Sequence, residues 1–356
     1  MNKADCPKIL LLSQWLAVKY CEIFIEFRTL PGRPSFHRMT STAAPDSSGL
    51  PSPQRTLRAP IGCTGVGIHS GRRVNLTLKP APANSGIRFR RTDLDAEVAA
   101  RFDRVVDTRL CTVLAPEGRP EARIGTVEHL MAALSAAGID NALIELDGPE
   151  VPILDGSAAP FLFLISCAGV VAQDASRRGI RVLRPVSLAD GHASVELRPA
   201  DVQALEAEIE IDFPATAIGA QRAAASLAGD AFRRRIAQAR TFAMAEEIAR
   251  LRAAGLARGG SLANAVVVDG DKVLNPGGLR LPDEFAAHKL LDVVGDLALA
   301  GAPILGHFTG RRSGHALNNR LLRALFADPR AWCWTDGMAE PATPRLPYAA
   351  AAAPAA

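Results

Sequence analysis

Aromatic side chains are scarce in this 356-residue chain, in which Phe, Trp and Tyr together make up 5% of the residues. A core with so few rings must be built mainly from Ala, Leu, Val and Ile, and 48% of the chain is hydrophobic. Charge of one sign is also lacking, since the formal net charge is only +4 and no Lys/Arg block is longer than residues 233–235. We therefore expect no nucleic-acid partner, and we interpret the short basic run as a solvated helix face.

Several sequence signatures of metal, disulfide or phosphate sites are absent. The six cysteines, at positions 6, 21, 63, 111, 167 and 333, include no C-x-x-C pair, which argues against a Cys-rich zinc site and a disulfide framework. This cysteine usage indicates a reducing, cytoplasmic compartment. The chain also has no H-E-x-x-H metalloprotease signature and no G-x-x-x-x-G-K-[ST] phosphate loop.

No stretch of the sequence is long and apolar enough to span a bilayer. Residues 9–18 are apolar, but polar residues interrupt the run and no A-x-A cleavage site follows it. Residues 31–53 are rich in Pro, Ser, Thr and Gly, a composition typical of disordered chain. We therefore expect residues 1–53 to be a disordered or misassigned extension, with Met39 as an alternative start, and we expect no stable membrane insertion.

The first ordered half combines strand and helix patterns. Residues 74–79 alternate apolar and polar side chains, as a half-buried strand does. Residues 126–137 have helical spacing, with Thr126 as a candidate N-cap and Gly138 as the stop. Two further segments with these patterns are a strand at residues 142–146 and a helix at residues 161–168.

The second half repeats this order weakly. Residues 71–81 are similar to residues 191–200, and sliding Gly138 onto Gly301 aligns two helix ends. Such a repeat predicts an α+β fold made of two similar, duplicated domains. The predicted boundaries are domain I at residues 54–172, a linker at 173–180, domain II at 181–335, and a flexible Ala/Pro-rich tail at 336–356.

Histidine and carboxylate pairs are candidate metal ligands. His288 and Asp292 are four residues apart, so on a helix both side chains reach one point and form a half-site suited to zinc, and Asp296 continues this stripe. His129, from the other half, would add a third ligand and leave one position for water. Its neighbour Glu128 would then be a general base. Taken alone, the pair His288 and Asp292 also fits a helix-capping or salt-bridge role, and Glu128 with His129 also fits an acidic residue at a helix N-terminus beside a surface histidine.

Two other residues are ambiguous in isolation. His315 lies where a glycine-led turn runs into a predicted helix, and it is either an ordinary loop histidine or a catalytic group. Thr241 is either an N-cap or an active-site hydroxyl.

Seven motifs, taken together, resemble the UDP-3-O-acyl-N-acetylglucosamine deacetylase family. They run in order between about residues 54 and 334, over nearly four-fifths of the chain. The motifs are GVGIHSG at residues 65–71, DTRLCT at 107–112, TVEHLMAAL at 126–134, VPILDGSAAPF at 151–161, ARTF at 239–242, DEFAAHKLLDVVGDL at 283–297 and SGHALNN at 313–319.

The resemblance implies a role for each candidate residue. In the catalytic centre, His129, His288 and Asp292 would bind one Zn²⁺ ion, Glu128 would be the general base, His315 would be the general acid oriented by Asp296, and Thr241 would stabilise the oxyanion. At the substrate, Lys289 would contact the diphosphate-sugar part, Asp212 and Phe213 the uridine, and Phe242, Ile248 and Leu110 the apolar passage for the acyl chain. The sequence departs from the family pattern at Arg109 and Met244, which leaves the passage shape and the acyl length open.

The resemblance also implies a fold and a reaction. Two β-α-α-β layered domains would hold the active site between them. The reaction would be zinc-dependent removal of the N-acetyl group from UDP-3-O-(3-hydroxyacyl)-N-acetylglucosamine, the committed step of lipid A biosynthesis. We expect a cytoplasmic monomer whose C-terminal tail is open to a regulatory protease. The alternatives are a binding protein that holds a UDP-sugar or lipid without hydrolysis, and a zinc amidase acting on another acylated sugar.

Overall fold

The computed structural model describes residues 52–215 and 217–336. The expectations for residues 1–51 and for residues 337–356 therefore lie outside the described residues. At the first boundary Ser52 is already buried and the first strand begins at Pro53, so regular structure begins slightly before the predicted position.

The first half of the described chain is organised around one five-stranded sheet. Its elements, in chain order, are β1 (Pro53–Leu57), β2 (Ile61–Val66), β3 (Arg73–Pro80), β4 (Ile87–Arg91), β5 (Ala96–Ala99), a 3-10 turn (Phe102–Arg104), β6 (Val105–Asp107), β7 (Val113–Leu114), a second 3-10 turn (Pro120–Ala122), α1 (Glu128–Ala136), β8 (Ala142–Leu146), α2 (Ala159–Ala168) and β9 (Val170–Ser176). Sheet I has the order β2-β3-β8-β4-β5, while β1 pairs with β9 and β6 with β7.

The second half contains a sheet of the same size. Its elements are β10 (Arg178–Val182), β11 (Val186–Asp190), β12 (Ala193–Arg198), β13 (Glu206–Asp212), β14 (Ala220–Ser226), α3 (Ala231–Arg235), β15 (Phe242–Met244), α4 (Ala245–Ala253), β16 (Val266–Asp269), β17 (Lys272–Val273), α5 (Glu284–Ala298), β18 (Ile304–Leu305), β19 (His307–Arg311), α6 (His315–Ala327) and β20 (Trp332–Asp336). Sheet II has the order β11-β12-β19-β13-β14, and two three-stranded sheets, β18-β10-β20 and β15-β16-β17, accompany it.

The two five-stranded sheets share one topology. In each, the last strand is inserted between the second and the third, antiparallel to the second and parallel to the third: β8 lies between β3 and β4, and β19 between β12 and β13. The similar sequences at residues 71–81 and 191–200 contain the whole of β3 and the whole of β12, which hold equivalent positions. Gly138 and Gly301 both have positive φ just after a helix. The α+β class is therefore confirmed, and the elements expected at β3, α1, β8 and α2 are present.

Helices α1 and α5 pack against each other at the centre of the molecule. Contacts run from sheet I through α2 and α1 to α5, and from α5 to β13 and β14 of sheet II. Gly295 of α5 makes this approach possible, because a Cβ atom there would lie 2.0 Å from the carbonyl oxygen of Glu128. The close contact sets the first turn of α1 against the face of α5 that carries His288 and Asp292.

Two local predictions differ from the structure. The predicted linker at residues 173–180 lies within β9 and β10, with only Arg177 between the two strands. In β9 partly buried and exposed positions alternate, so its polar sequence is that of a paired surface strand. Thr126 does not cap α1, which begins at Glu128 without a side-chain cap. Thr126 instead has φ 57° and donates its hydroxyl hydrogen bond to Glu150.

The helices of the described residues are short relative to the thickness of a membrane. None of them, across residues 52–215 and 217–336, combines the length and apolar character that a bilayer-spanning segment requires.

Candidate active site

A cleft of about 700 Å³ opens where the first turn of α1 meets α5 and the start of α6. Both halves of the chain contribute to its walls, because the loop after β6 and the start of α1 face the start of β15, α5 and α6. Most of the predicted site residues line it: Leu110, Glu128, His129, Phe213, Thr241, Phe242, His288, Lys289, Asp292 and His315.

Three buried side chains converge at the base of this cleft. His129 Nε2 lies 3.6 Å from Asp292 Oδ1, and His288 Nε2 lies 3.4 Å from the same oxygen. One ligand atom from each of the three residues lies within 4.8 Å of the other two. The two imidazole rings stand nearly perpendicular, with centroids 5.0 Å apart. The spacing of His288 and Asp292 on α5 therefore produces the shared point expected from the helix repeat.

This donor set fits a zinc ion. Two ligands about 2.0 to 2.2 Å from one tetrahedral zinc are separated by roughly 3.3–3.6 Å, which matches the distances to Asp292 Oδ1. That oxygen is buried and has no hydrogen-bond partner among the described residues, as expected of a ligand atom. His288 Nδ1 lies 3.1 Å from the carbonyl oxygen of Ala239, so it is the protonated nitrogen and Nε2 keeps its lone pair for a metal.

Burial and neighbouring charges favour the metal-binding forms of His288 and Asp292. Burial lowers the pKa of His288 to about 4, although Asp292 opposes this shift, so the imidazole is neutral at physiological pH. Burial alone would raise the pKa of Asp292, but His288 and Lys289 hold it well below its usual range. Lys289 donates a 2.8 Å hydrogen bond to Asp292 Oδ2 and leaves Oδ1 free. A neutral imidazole and an ionised carboxylate are the states that ligate zinc.

Glu128 begins α1 beside the candidate metal site. Its Oε2 accepts a 3.0 Å hydrogen bond from the backbone N–H of Thr112, and its Oε1 lies 4.0 Å from His315 Nε2. Burial raises the pKa of Glu128, while His315 and His129 act in the opposite direction. The carboxylate is thus a stronger base than a solvated glutamate.

His315 faces Glu128 from the start of α6. Its Nδ1 donates a 2.8 Å hydrogen bond to Asp296 Oδ2, which directs Nε2 towards the cleft. Burial would lower the pKa of His315, but the charge and hydrogen bond of Asp296, together with the charge of Glu128, raise it to about 9. The imidazole is therefore protonated at neutral pH and able to donate a proton.

Asp296 is held by residues for which the sequence assigned no role. Thr112 Oγ1 donates a 2.6 Å hydrogen bond to its Oδ1, and Asn318 Nδ2 donates a 2.8 Å hydrogen bond to its Oδ2. Thr112 and Asn318 belong to the motifs DTRLCT and SGHALNN of the family resemblance. Membership of these motifs was the one sign in the sequence that the two residues could have a role at the site. Spacing could not reveal the contact of Thr112, because it joins positions 184 residues apart.

A second buried carboxylate, Glu150, was also missed. It accepts hydrogen bonds from the backbone N–H groups of His69 and Ser70 and from the Thr126 hydroxyl. These bonds tie the loop between β2 and β3 to the residues that precede α1. The position of the Glu128 turn therefore depends on a residue outside the catalytic cleft.

An apolar cavity of about 140 Å³ adjoins the cleft. Leu110, Thr241, Phe242 and Ile248 line it together with further aliphatic residues from both halves: Ile68, Ile153, Leu251, Ala265 and Val267. The ring of Phe242 lies edge-on to Phe213, Phe285 and His288, with centroid distances of 5.5, 5.1 and 6.2 Å. His129 lines both the cavity and the cleft, so the two spaces meet at the candidate metal site.

One predicted substrate residue lies outside these walls. Asp212 ends β13 and forms an ion pair with Arg312, which precedes α6. Its neighbour Phe213 does line the cleft. The structure thus brings together every predicted site residue except Asp212, with Asp296 behind His315 and Ile248 in the apolar cavity.

Comparison with known proteins places this site in a family. A family model described as UDP-3-O-acyl N-acetylglycosamine deacetylase matches residues 54–327. A UDP-3-O-acyl-N-acetylglucosamine deacetylase from Anaeromyxobacter sp. (strain Fw109-5) is 53% identical over 276 residues, which cover 78% of this chain and 89% of that protein. Proteins of the same name from Acidithiobacillus ferrooxidans and Neisseria gonorrhoeae are each 49% identical, covering 80% of this chain and 93% of theirs. The chain belongs to the UDP-3-O-acyl N-acetylglycosamine deacetylase family.

Proposed function

We propose that this chain is a zinc-dependent deacetylase that hydrolyses the N-acetyl group of UDP-3-O-(3-hydroxyacyl)-N-acetylglucosamine. The products are acetate and the free amine, at the committed step of lipid A biosynthesis. One observation supports the proposal most strongly. The Glu128 carboxylate, a proton acceptor, and the His315 imidazole, a proton donor, lie 4.0 Å apart beside two histidines and an aspartate that fit a zinc ion. The relatives that are 53% and 49% identical to this chain are named UDP-3-O-acyl-N-acetylglucosamine deacetylase.

The metal would be held by His129, His288 and Asp292. When bound, a zinc ion supplies a coordinated water of lowered pKa and polarises the acetyl carbonyl. The remaining demands of amide hydrolysis fall on the protein, which must accept one proton, deliver another and stabilise developing charge.

Glu128 accepts the proton of the attacking water in this proposal. Its Oε2 is fixed by the backbone N–H of Thr112, which leaves Oε1 as the oxygen directed at His315 and the cleft. Burial makes the carboxylate a better proton acceptor than it would be in water.

His315 delivers a proton to the leaving amine nitrogen. An amine anion is far too basic to leave unprotonated, so amide cleavage requires an acid at this point. Asp296 binds Nδ1 and stabilises the imidazolium, so the proton to be delivered resides on Nε2.

Thr241 and the substrate residues complete the proposal. The Thr241 hydroxyl, beside the metal ligands in the cleft, stabilises the negative charge that develops on the carbonyl oxygen. Lys289 binds the diphosphate-sugar part, and Asp212 with Phe213 binds the uridine. The apolar cavity lined by Leu110, Phe242 and Ile248 receives the acyl chain.

The organisation of the chain is part of the proposal. Residues 53–176 and 178–336, with bounds moved from the expected 54–172 and 181–335 so that β9 and β10 stay whole, form two domains that each carry half of the site. We place the enzyme in the cytoplasm as a monomer, and the proposed protease-sensitive tail begins after Asp336, the last residue of β20.

A direct assay tests this function. Purified protein is incubated with UDP-3-O-acyl-N-acetylglucosamine, with and without a chelator, while acetate and protein-bound zinc are measured. We expect acetate release that chelation abolishes and added zinc restores. Binding of the UDP-sugar without acetate release would support the binding-protein alternative. Faster cleavage of an acylated sugar lacking UDP would support the other amidase.

A further inference from the structure

Thr112 is in contact with both halves of the proposed acid–base pair. It lies in the connection between β6 and β7 and is 1% exposed. Its backbone N–H donates to Glu128 Oε2 at 3.0 Å, and its hydroxyl donates to Asp296 Oδ1 at 2.6 Å. Its carbonyl oxygen accepts a 3.4 Å hydrogen bond from the backbone N–H of Val127, the residue before Glu128.

We infer that Thr112 is a positioning residue that fixes the general base relative to the general acid, so that its hydroxyl sets the turnover rate although it does not contact the substrate. The inference rests on the proposed deacetylase function. It goes beyond that function because Thr112 acts through Glu128 and Asp296.

The hydroxyl matters because of how Asp296 is satisfied. Asp296 Oδ2 binds both His315 and Asn318, whereas Oδ1 accepts from Thr112. Without the hydroxyl, Oδ1 would be a buried acceptor that has lost this donor, and a rotation of the carboxylate to find another donor would displace Oδ2. His315 would then lose the alignment of Nε2 towards the cleft, because the orientation of a functional imidazole depends on the hydrogen-bond partner of its other ring nitrogen.

The effect should fall on turnover and not on substrate binding. Thr112 is not among the residues that line the cleft or the apolar cavity. Removing an interaction that acts only in the transition state lowers kcat and leaves KM unchanged. General destabilisation instead lowers the amount of folded enzyme.

The chain offers a matched control in Thr56. Its side chain is also buried. Its hydroxyl donates a 2.7 Å hydrogen bond to the carbonyl oxygen of Asn141 and accepts one of 3.0 Å from the backbone N–H of Ala81, in the β1 region away from the cleft. Thr56→Val therefore removes one buried threonine hydroxyl without altering the acid–base pair. It measures the cost of such a loss to folding alone.

The experiment compares zinc-loaded, full-length wild type with Thr112→Val, Thr112→Ser and Thr56→Val. We measure kcat, KM, zinc content and Tm for each. We expect Thr112→Val to lower kcat by about 10–100-fold with KM and zinc content unchanged. Thr112→Ser should recover kcat to within about 3-fold of wild type, and Thr56→Val should lower Tm but keep kcat.

Three outcomes would overturn the inference: wild-type kcat in Thr112→Val, equal losses of kcat in Thr112→Val and Thr56→Val, or a Thr112→Ser variant as slow as the valine variant. If Thr112→Val does not fold, Thr112→Cys replaces it, because a thiol is only a weak hydrogen-bond donor. Absence of acetate release by the wild type would instead count against the proposed function, so the two failures are distinguishable.

Discussion

His315 Nε2 and Glu128 Oε1 lie 4.0 Å apart, although one residue begins α6 and the other begins α1. At this separation a single reacting atom in the cleft can lie within hydrogen-bond distance of both the proton acceptor and the proton donor. The separation is also short enough for each charge to influence the protonation of the other.

The opposed protonation states predict a bell-shaped dependence of kcat/KM on pH. Glu128 must be ionised, so activity falls as pH drops through its raised pKa. His315 must be protonated, so activity falls as pH rises through about 9. Initial rates between pH 5 and 10 test this, and a flat profile from about pH 5 to 9 would contradict the pairing.

Replacing Asp296 should move the alkaline limb of that profile. In Asp296→Asn the carboxylate charge that raises the pKa of His315 is lost, so the limb should shift to lower pH and kcat should fall. Asp95→Asn, which removes an exposed carboxylate paired with Arg90 away from the cleft, is the matched control. An alkaline limb that stays in place would show that Asp296 does not govern His315.

Removal of either proton-transfer group should reduce turnover strongly. Glu128→Ala and His315→Ala should each lower kcat by about 100-fold or more, because general acid–base groups contribute on that order. The exposed residues Glu117 and His192 provide the controls Glu117→Ala and His192→Ala, which should keep wild-type rates. Near wild-type turnover in both active-site variants would refute their assignment.

Loss of a metal ligand should be visible without any activity assay. His129→Ala, His288→Ala and Asp292→Ala should each reduce bound zinc from about one ion per chain, measured by atomic emission after dialysis. Chelation should also lower the Tm of the wild type, because an ion that binds only the folded state stabilises it. If the three variants retained full zinc content, the ion would have to bind elsewhere.

The contact between α1 and α5 predicts an unusual sensitivity at Gly295. In Gly295→Ala the new methyl group would lie 2.0 Å from the Glu128 carbonyl oxygen, so the helices must separate. We expect a loss of roughly 1–3 kcal/mol or more in unfolding free energy, together with reduced kcat. Gly277→Ala, where a Cβ meets nothing within 4 Å, should be nearly neutral in denaturant titrations. Equal stability of the two variants would refute the packing argument.

Helical spacing predicted the centre of the site better than its surroundings. His288 and Asp292 follow from the repeat of one helix, and the side chains do converge. The roles of Thr112 and Asn318 could not be read from spacing, because hydrogen bonds between distant segments leave no periodic signal. The polar sequence of β9 similarly concealed a strand, since its pairing with β1 depends on a partner more than a hundred residues away.

The common strand order of sheets I and II limits how such a centre can be assembled. Two copies of the first half would bring together two imidazoles and two glutamates, whereas two copies of the second would bring duplicate acids and no equivalent of Glu128. Neither symmetric pairing contains the required set. The proposed chemistry therefore requires different residues from the two halves, although sheets I and II have the same strand order.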